Sequence, residues 1–94
     1  MTVEHVPGKK AGDIMLYALS TCGWCRKTRE LLQELGLDYS YEYVDLLQGD
    51  DRNRAMKTVE KWNPSCSFPT LVLNNQKCIV GYQPDLIKKE LSVG

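Results

Sequence analysis

The sequence predicts one α/β domain: a mixed four-stranded sheet flanked by helices, in the order β-α-β-α-β-β-α. Three observations carry that reading. Short apolar runs alternate with amphipathic helical stretches, as in crossover units that join parallel strands. Two short apolar runs near the end are separated only by Asn74-Asn75-Gln76, which is turn chemistry for an antiparallel hairpin. A length of 94 residues with 43% hydrophobic content suits one small domain with one core.

The elements follow in order. Pro7, Gly8 and Gly12 mark residues 1–12 as a loose, flexible leader, with the domain spanning 13–94. Ile14 to Leu19 is a short apolar run that fits a buried strand. Ser20 and Thr21 offer N-caps for a helix from Gly23 to Leu35. On that helix Cys25, Thr28, Leu31, Leu32 and Leu35 share one face, and Gly36 ends it. Tyr39 to Leu46, aromatic and β-branched, reads as the second strand. Asp50 and Asp51 cap a second helix with Ala55, Met56, Val59 and Trp62 on its apolar face, and Asn63-Pro64 stops it. Thr70–Leu73 and Lys77–Val80 form the hairpin. Pro84 starts a last helix carried by Leu86, Ile87 and Leu91.

Charge and cysteine content narrow the function. Twelve basic and twelve acidic residues cancel, so the chain lacks the basic excess of a nucleic-acid binder or of a polybasic membrane surface. No stretch resembles a signal peptide, and no apolar run approaches the roughly 20 residues of a membrane span. A cytoplasmic monomer is expected. Four cysteines are too few for a disulfide-stapled secreted scaffold. In a reducing compartment, a Cys-x-x-Cys pair points to redox or metal chemistry instead.

Cys22-Gly23-Trp24-Cys25 stands where the first strand meets the first helix. Disulfide exchange needs a thiolate, and a helix N-terminus offers unpaired N–H groups and partial positive charge that stabilise one. Cys22 is at that terminus. Cys25 lies almost one turn deeper, within reach but less exposed. The asymmetry makes Cys22 the attacking nucleophile and Cys25 the resolving thiol. Trp24 offers a flat apolar surface beside the sulfur.

These features resemble the glutaredoxin family of the thioredoxin superfamily, over roughly Asp13 to Leu91. The matching motifs are Leu16-Tyr17 ahead of Cys22-Gly23-Trp24-Cys25, then Ser67-Phe68-Pro69-Thr70, then Gly81-Tyr82 with Asp85. The resemblance implies a thioredoxin-like fold and a dithiol–disulfide oxidoreductase acting on disulfide-containing proteins or small-molecule disulfides. It implies a cis bond before Pro69 and backbone hydrogen bonds from Phe68 to substrate. It also gives Trp24, Phe68, Pro69, Gly81, Tyr82 and Asp85 substrate-binding roles, Asp85 by holding the glutathione amino group. No organic or metal cofactor is required. The reductant is glutathione, another low-molecular-weight thiol or a reductase. Three family features differ: Leu19 replaces the glutathione-gripping lysine, Gly23 the motif proline, and Gly81-Tyr82 the Gly-Gly pair. Lys57 or Lys61 could supply the missing carboxylate contact. An alternative implied by the motif is a glutaredoxin that holds a [2Fe–2S] cluster across a dimer, through Cys22 and thiol ligands.

Cys66 precedes Pro69 by three residues and reads as a third redox thiol or a packed small residue, Cys78 as core, and His5 as a solvated side chain. A zinc site built from all four cysteines would lack a second Cys-x-x-Cys knuckle and would consume the redox pair.

Overall fold

A computed structural model of the chain describes residues 3–91; residues 1–2 of the expected leader and 92–94 of the expected domain lie outside them. The elements are β1 (Glu4–Val6), β2 (Ile14–Ala18), α1 (Gly23–Glu34), β3 (Tyr39–Tyr43), α2 (Gly49–Trp62), β4 (Thr70–Leu73), β5 (Lys77–Val80) and α3 (Pro84–Glu90), with a 3-10 turn over Val44–Leu46. The sheet order is β1-β3-β2-β4-β5. β2 and β3 are parallel, and every other pair is antiparallel. This is a thioredoxin-like glutaredoxin fold. Among the described residues no helix is long and apolar enough to cross a membrane.

The sheet has five strands rather than the four expected. The added strand comes from the presumed leader: Glu4, His5 and Val6 pair with Tyr41, Ser40 and Tyr39. The Lys9 N–H donates to the Gly36 carbonyl (2.7 Å), and the Asp38 N–H to the Lys9 carbonyl (2.9 Å). Gly8 passes so close that a Cβ there would lie 2.6 Å from the Leu37 carbonyl carbon. The glycine read as a linker signal is thus a close-packing residue. His5 is not merely solvated either: its Nε2 lies 2.8 Å from the Asp38 carboxylate. That contact holds the Asp38 carboxyl below its ordinary range.

The core has two faces, as alternating strand residues require. On one, Ile14, Leu16 and Ala18 of β2 meet Cys25, Leu31 and Leu32 of α1 and Ile87 of α3. On the other, Tyr17 and Val72 meet Ala55 and Val59 of α2. Leu16 and Leu32 are fully buried, and each contributes about 1.5–3 kcal/mol relative to an exposed side chain.

Other differences are local. The α1 N-cap is Cys22, not Ser20 or Thr21, and Leu35 is its C-cap. β3 ends at Tyr43, because Val44–Leu46 turns into a 3-10 helix and exposes Leu46. Gln48 holds the N-cap position of α2 without a side-chain capping hydrogen bond, while Asp50 and Asp51 occupy the first turn, where they complement the helix dipole. Ile87 of α3 and its C-cap Leu91 are buried, but Leu86 is exposed. In the hairpin, Asn74 and Asn75 both take positive φ (53° and 54°), which asparagine tolerates best after glycine.

Candidate redox site

The site lies at the C-terminal end of β2, where the chain leaves the sheet and turns into α1. Ser20 anchors that turn. Its N–H donates to Asp45 Oδ1 (2.8 Å), and its hydroxyl donates to Oδ2. Desolvation pushes the Asp45 carboxyl up, but the Ser20 hydrogen bonds outweigh it and hold the group below the usual carboxylate range. The Cys22 N–H donates to the Leu19 carbonyl (3.2 Å), which fixes the last residue before the helix.

Cys22 caps α1 from extended backbone (φ −89°, ψ 117°), and its Sγ accepts the Cys25 N–H at 3.1 Å. Serine or aspartate oxygens usually do this at helix starts. Here a sulfur takes the orphan donor. Cys22 is half-buried, whereas Cys25 is 1% exposed in the α1 core. Burial, reinforced by the hydrogen bond to the Cys22 sulfur, pushes the Cys25 thiol from 9.0 up to about 12. Cys22 is therefore the thiol a substrate can reach, while Cys25 stays protonated beside it.

That shift has a consequence for stability. The folded state keeps the Cys25 proton more tightly than the unfolded chain does. The resulting stabilisation is complete below the unfolded value near 9 and is lost as pH rises toward about 12. The urea midpoint of the reduced protein should be lower at about pH 10.5 than at about pH 8. A Cys25→Ala variant, lacking that proton, should show a smaller fall. Equal falls in the two proteins would show that Cys25 is not responsible.

Around the sulfurs, the structure gathers several of the predicted residues. The Phe68–Pro69 bond is cis, and Pro69 is buried. The Gly81 N–H donates to the Pro69 carbonyl (2.9 Å), joining the hairpin's far strand to the loop before β4. Gly81 takes φ 84°, which glycine adopts without strain. Cys22, Phe68 and Tyr82 all pack on the α1 face of the core. Trp24 is 59% exposed, and its ring stacks on Tyr82 with centroids 5.8 Å apart and planes 23° apart. Lys27 places its ammonium 5.2 Å from the Trp24 ring centre. Asp85 is exposed in the first turn of α3.

Gly23, the first residue of α1, has nothing within 4 Å of where a Cβ would stand. Proline fits a first helical position, and the extended backbone of Cys22 is what a residue before proline requires. Gly23→Pro should raise stability by about 0.4–1 kcal/mol, mainly by restricting the unfolded chain. Thermal unfolding would test it, and a lower midpoint would show that the Gly23 backbone is needed as it stands.

Cys66 and Cys78 are both half-buried. The Cys78 thiol donates to the Trp62 carbonyl (3.1 Å), which ties β5 to the end of α2. Cys66 has φ 52° and borders a hollow beside Asn53, Met56, Lys57 and Glu60 of α2. Lys57 thus lies on the α2 side by Cys66, and Lys61 sits 5.7 Å from the Trp62 ring centre. Among the described residues, no three His, Cys, Asp or Glu side chains gather as a metal-ligand set.

Sequence reasoning missed the residues that shape the loop carrying Phe68. Asn63 is 4% exposed, and its Nδ2 donates to the Ser67 carbonyl (3.0 Å), Ser67 Oγ (3.0 Å) and Thr70 Oγ1 (3.2 Å). The Ser65 N–H donates to Asn63 Oδ1 (3.2 Å), and the Thr70 hydroxyl to the Ser67 carbonyl (2.8 Å). Asn63-Pro64 was legible only as a helix stop. The signal for more was a polar asparagine continuing the buried face of α2.

A dithiol at a helix start, one sulfur accessible and the other buried, beside a cis-proline loop on this sheet, defines a thioredoxin-like thiol redox protein. Residues 14–79 match the family model for glutaredoxin. The chain belongs to the glutaredoxin family. It is similar to the crystal structure of a glutaredoxin from Methanosarcina mazei, with 43% identity and a TM-score of 0.90 over 98% of this chain and 89% of that one. It is also similar to methanoredoxin from Methanosarcina acetivorans, with 47% identity and a TM-score of 0.88 over 90% of each chain. Among curated proteins it matches the gene 56 protein of Mycobacterium phage D29, at 28% identity over 79% of this chain and 77% of that one.

Proposed function

We propose that the protein is a dithiol–disulfide oxidoreductase, with Cys22 as nucleophile and Cys25 as resolving thiol. The observation that carries this reading is the accessible Cys22 sulfur at the helix start, hydrogen-bonded by the backbone, above a buried and protonated Cys25. The Cys22 thiolate attacks one sulfur of the substrate disulfide. That S–S bond breaks, the first substrate thiolate leaves and takes a proton, and a mixed disulfide forms. Capture of Cys22 ends the negative charge that helped hold the Cys25 proton. Cys25 then loses its proton and attacks the Cys22 sulfur, releasing the second substrate thiol. The protein is left with a Cys22–Cys25 disulfide. Two electrons have passed to the substrate, and two from a reductant restore the dithiol.

Trp24 and Tyr82 form an aromatic wall on which the substrate rests, and Phe68, its backbone set by the buried cis-Pro69, lines it along the loop before β4. Gly81 and Asp85 complete the substrate side. The working form is a cytoplasmic monomer, with disulfide proteins or small disulfides as partners. The reductant is glutathione, another small thiol or an NADPH-linked reductase. Leu19 removes one charged grip on glutathione, so the decisive experiment presents the oxidised protein with each reductant class in turn. Release of two thiols with at least one of them supports the reading; a Cys22–Cys25 disulfide that none can reduce, in a protein that reduces no disulfide, would overturn it. No observation on the described residues favours the cluster-holding dimer over this cycle.

A further inference from the structure

Among the described residues, Arg29 of α1 stands out as a charge without a counter-ion. Its Nε–H donates to the Tyr39 hydroxyl (3.3 Å) and its Nη1 to the Tyr43 hydroxyl (2.6 Å). Its guanidinium carbon sits 3.9 Å from the centre of the Tyr41 ring. These three tyrosines alternate along β3, so all point to the same side of the sheet. Among the described residues no carboxylate lies within ion-pair distance of Arg29. The nearby acids are Glu4, opposite Tyr41 in the β1–β3 register, with Glu30 and Glu34 on α1 itself; none of them pairs with it. Arg26, one turn earlier on the helix, adds a second cation.

The hydrogen-bond inventory shows what this cluster lacks. A guanidinium has five N–H donors, and the two tyrosines take two of them. Each phenolic oxygen is already accepting, so its own O–H remains to be donated. Tyr39 is 1% exposed, and its hydroxyl fixes Nε from inside. Tyr43 and Arg29 are only half-buried, so solvent or a ligand can reach this end of the cluster. Among the described residues the guanidinium has more N–H donors than the two tyrosine oxygens that take them. A planar two-oxygen anion matches the arrangement, and the Tyr41 ring and Tyr hydroxyls hold the fork in place before a ligand arrives.

Its place relative to the sulfur suggests the ligand. Arg29 is seven residues after Cys22, which at about 100° per residue returns to the same helix face, roughly 10 Å along the axis. An extended polypeptide covers about 10 Å in three residues. We propose that Arg29 and Tyr43, backed by Tyr39 and Tyr41, form a carboxylate clamp that takes an Asp or Glu side chain about three residues from the reacting cysteine of a polypeptide disulfide. This rests on the oxidoreductase reading and names the substrate class that the site prefers.

Two matched disulfide-linked peptides test it, one with Glu and one with Gln three positions from the cysteine. In the unaltered protein, kcat/KM for the Glu peptide should exceed that for the Gln peptide about tenfold, and the ratio should shrink as salt rises. In Arg29→Gln the ratio should fall to about one, and Tyr43→Phe should lie between. The ratio is taken within each protein preparation, so partial misfolding or a slower Cys22 cancels. A ratio near one in the unaltered protein, or a preference that survives Arg29→Gln, overturns the clamp. A second readout avoids turnover altogether: peptides with Ser for Cys are titrated while the Arg29 Nε–H NMR resonance is followed. A shift with the Glu but not the Gln peptide upholds the clamp even if neither disulfide is reduced, in which case it is the oxidoreductase reading that falls. No shift with either peptide refutes the clamp.

Discussion

Cys22→Ser should reduce disulfide reductase activity to the uncatalysed rate, while Cys25→Ser should keep the first half of the reaction and stall at a mixed disulfide. The difference follows from geometry. Cys22 is half-buried and caps α1, where its sulfur already accepts a backbone N–H. A serine hydroxyl can make the same cap, so Cys22→Ser should fold and lose only its nucleophile. Cys25 is buried and its thiol is raised to about 12, so it cannot replace Cys22 in the first attack at neutral pH. Without it, the mixed disulfide must be cleared by an outside thiol. Mass spectrometry of Cys25→Ser after mixing with a disulfide peptide should therefore show one adduct, on Cys22. Retained turnover in Cys22→Ser, or unchanged turnover on protein disulfides in Cys25→Ser, would remove the assigned roles.

The dithiol was legible because its signal is local: four residues at a strand-to-helix junction specify both the chemistry and the helix start. The order of elements was legible for a similar reason, since each strand and helix carries its own periodicity. What escaped depends on contacts distant in sequence. Glu4–Val6 alternates too briefly to announce a strand, and it becomes one only because Tyr39–Tyr41 offers an open edge. The Pro and Gly around it read as a linker, whereas Gly8 is there to let two backbones touch. Tyr39, Tyr41 and Tyr43 were read simply as strand formers. Their joint hold on Arg29, ten to fourteen residues earlier, needs the crossover of α1 over the sheet before it exists. The stack of Trp24 on Tyr82 likewise joins the first helix to the turn before the last one.

The loop before β4 shows the same limit and gives the second large effect. Asn63→Ala should destabilise the protein by about 2–3 kcal/mol. The amide nitrogen serves three acceptors and the amide oxygen one donor, all within Ser65 to Thr70. Removing it leaves the Ser65 N–H and the Ser67 and Thr70 oxygens without that partner; Asn63 is 4% exposed and Thr70 is fully buried, so the loss is felt most at the Thr70 oxygen. Asp at the same position would keep the acceptor for Ser65 but set a buried charge against the Ser67 carbonyl and Thr70 hydroxyl, so Asn63→Asp should be at least as damaging. The functional consequence should be selective. Cys22 and Cys25 are held by α1 and by the turn that Asp45 anchors through Ser20, not by Asn63, so the chemistry of the dithiol should survive in the folded fraction. Phe68 and Pro69 sit on the loop that Asn63 organises, so KM for a peptide disulfide should rise more than kcat falls. Urea unfolding and steady-state kinetics on the same preparation separate the two effects. A stable variant would show that the hydrogen bonds are replaceable; a kcat loss without a change in KM would show that the loop acts on the sulfurs rather than on the substrate.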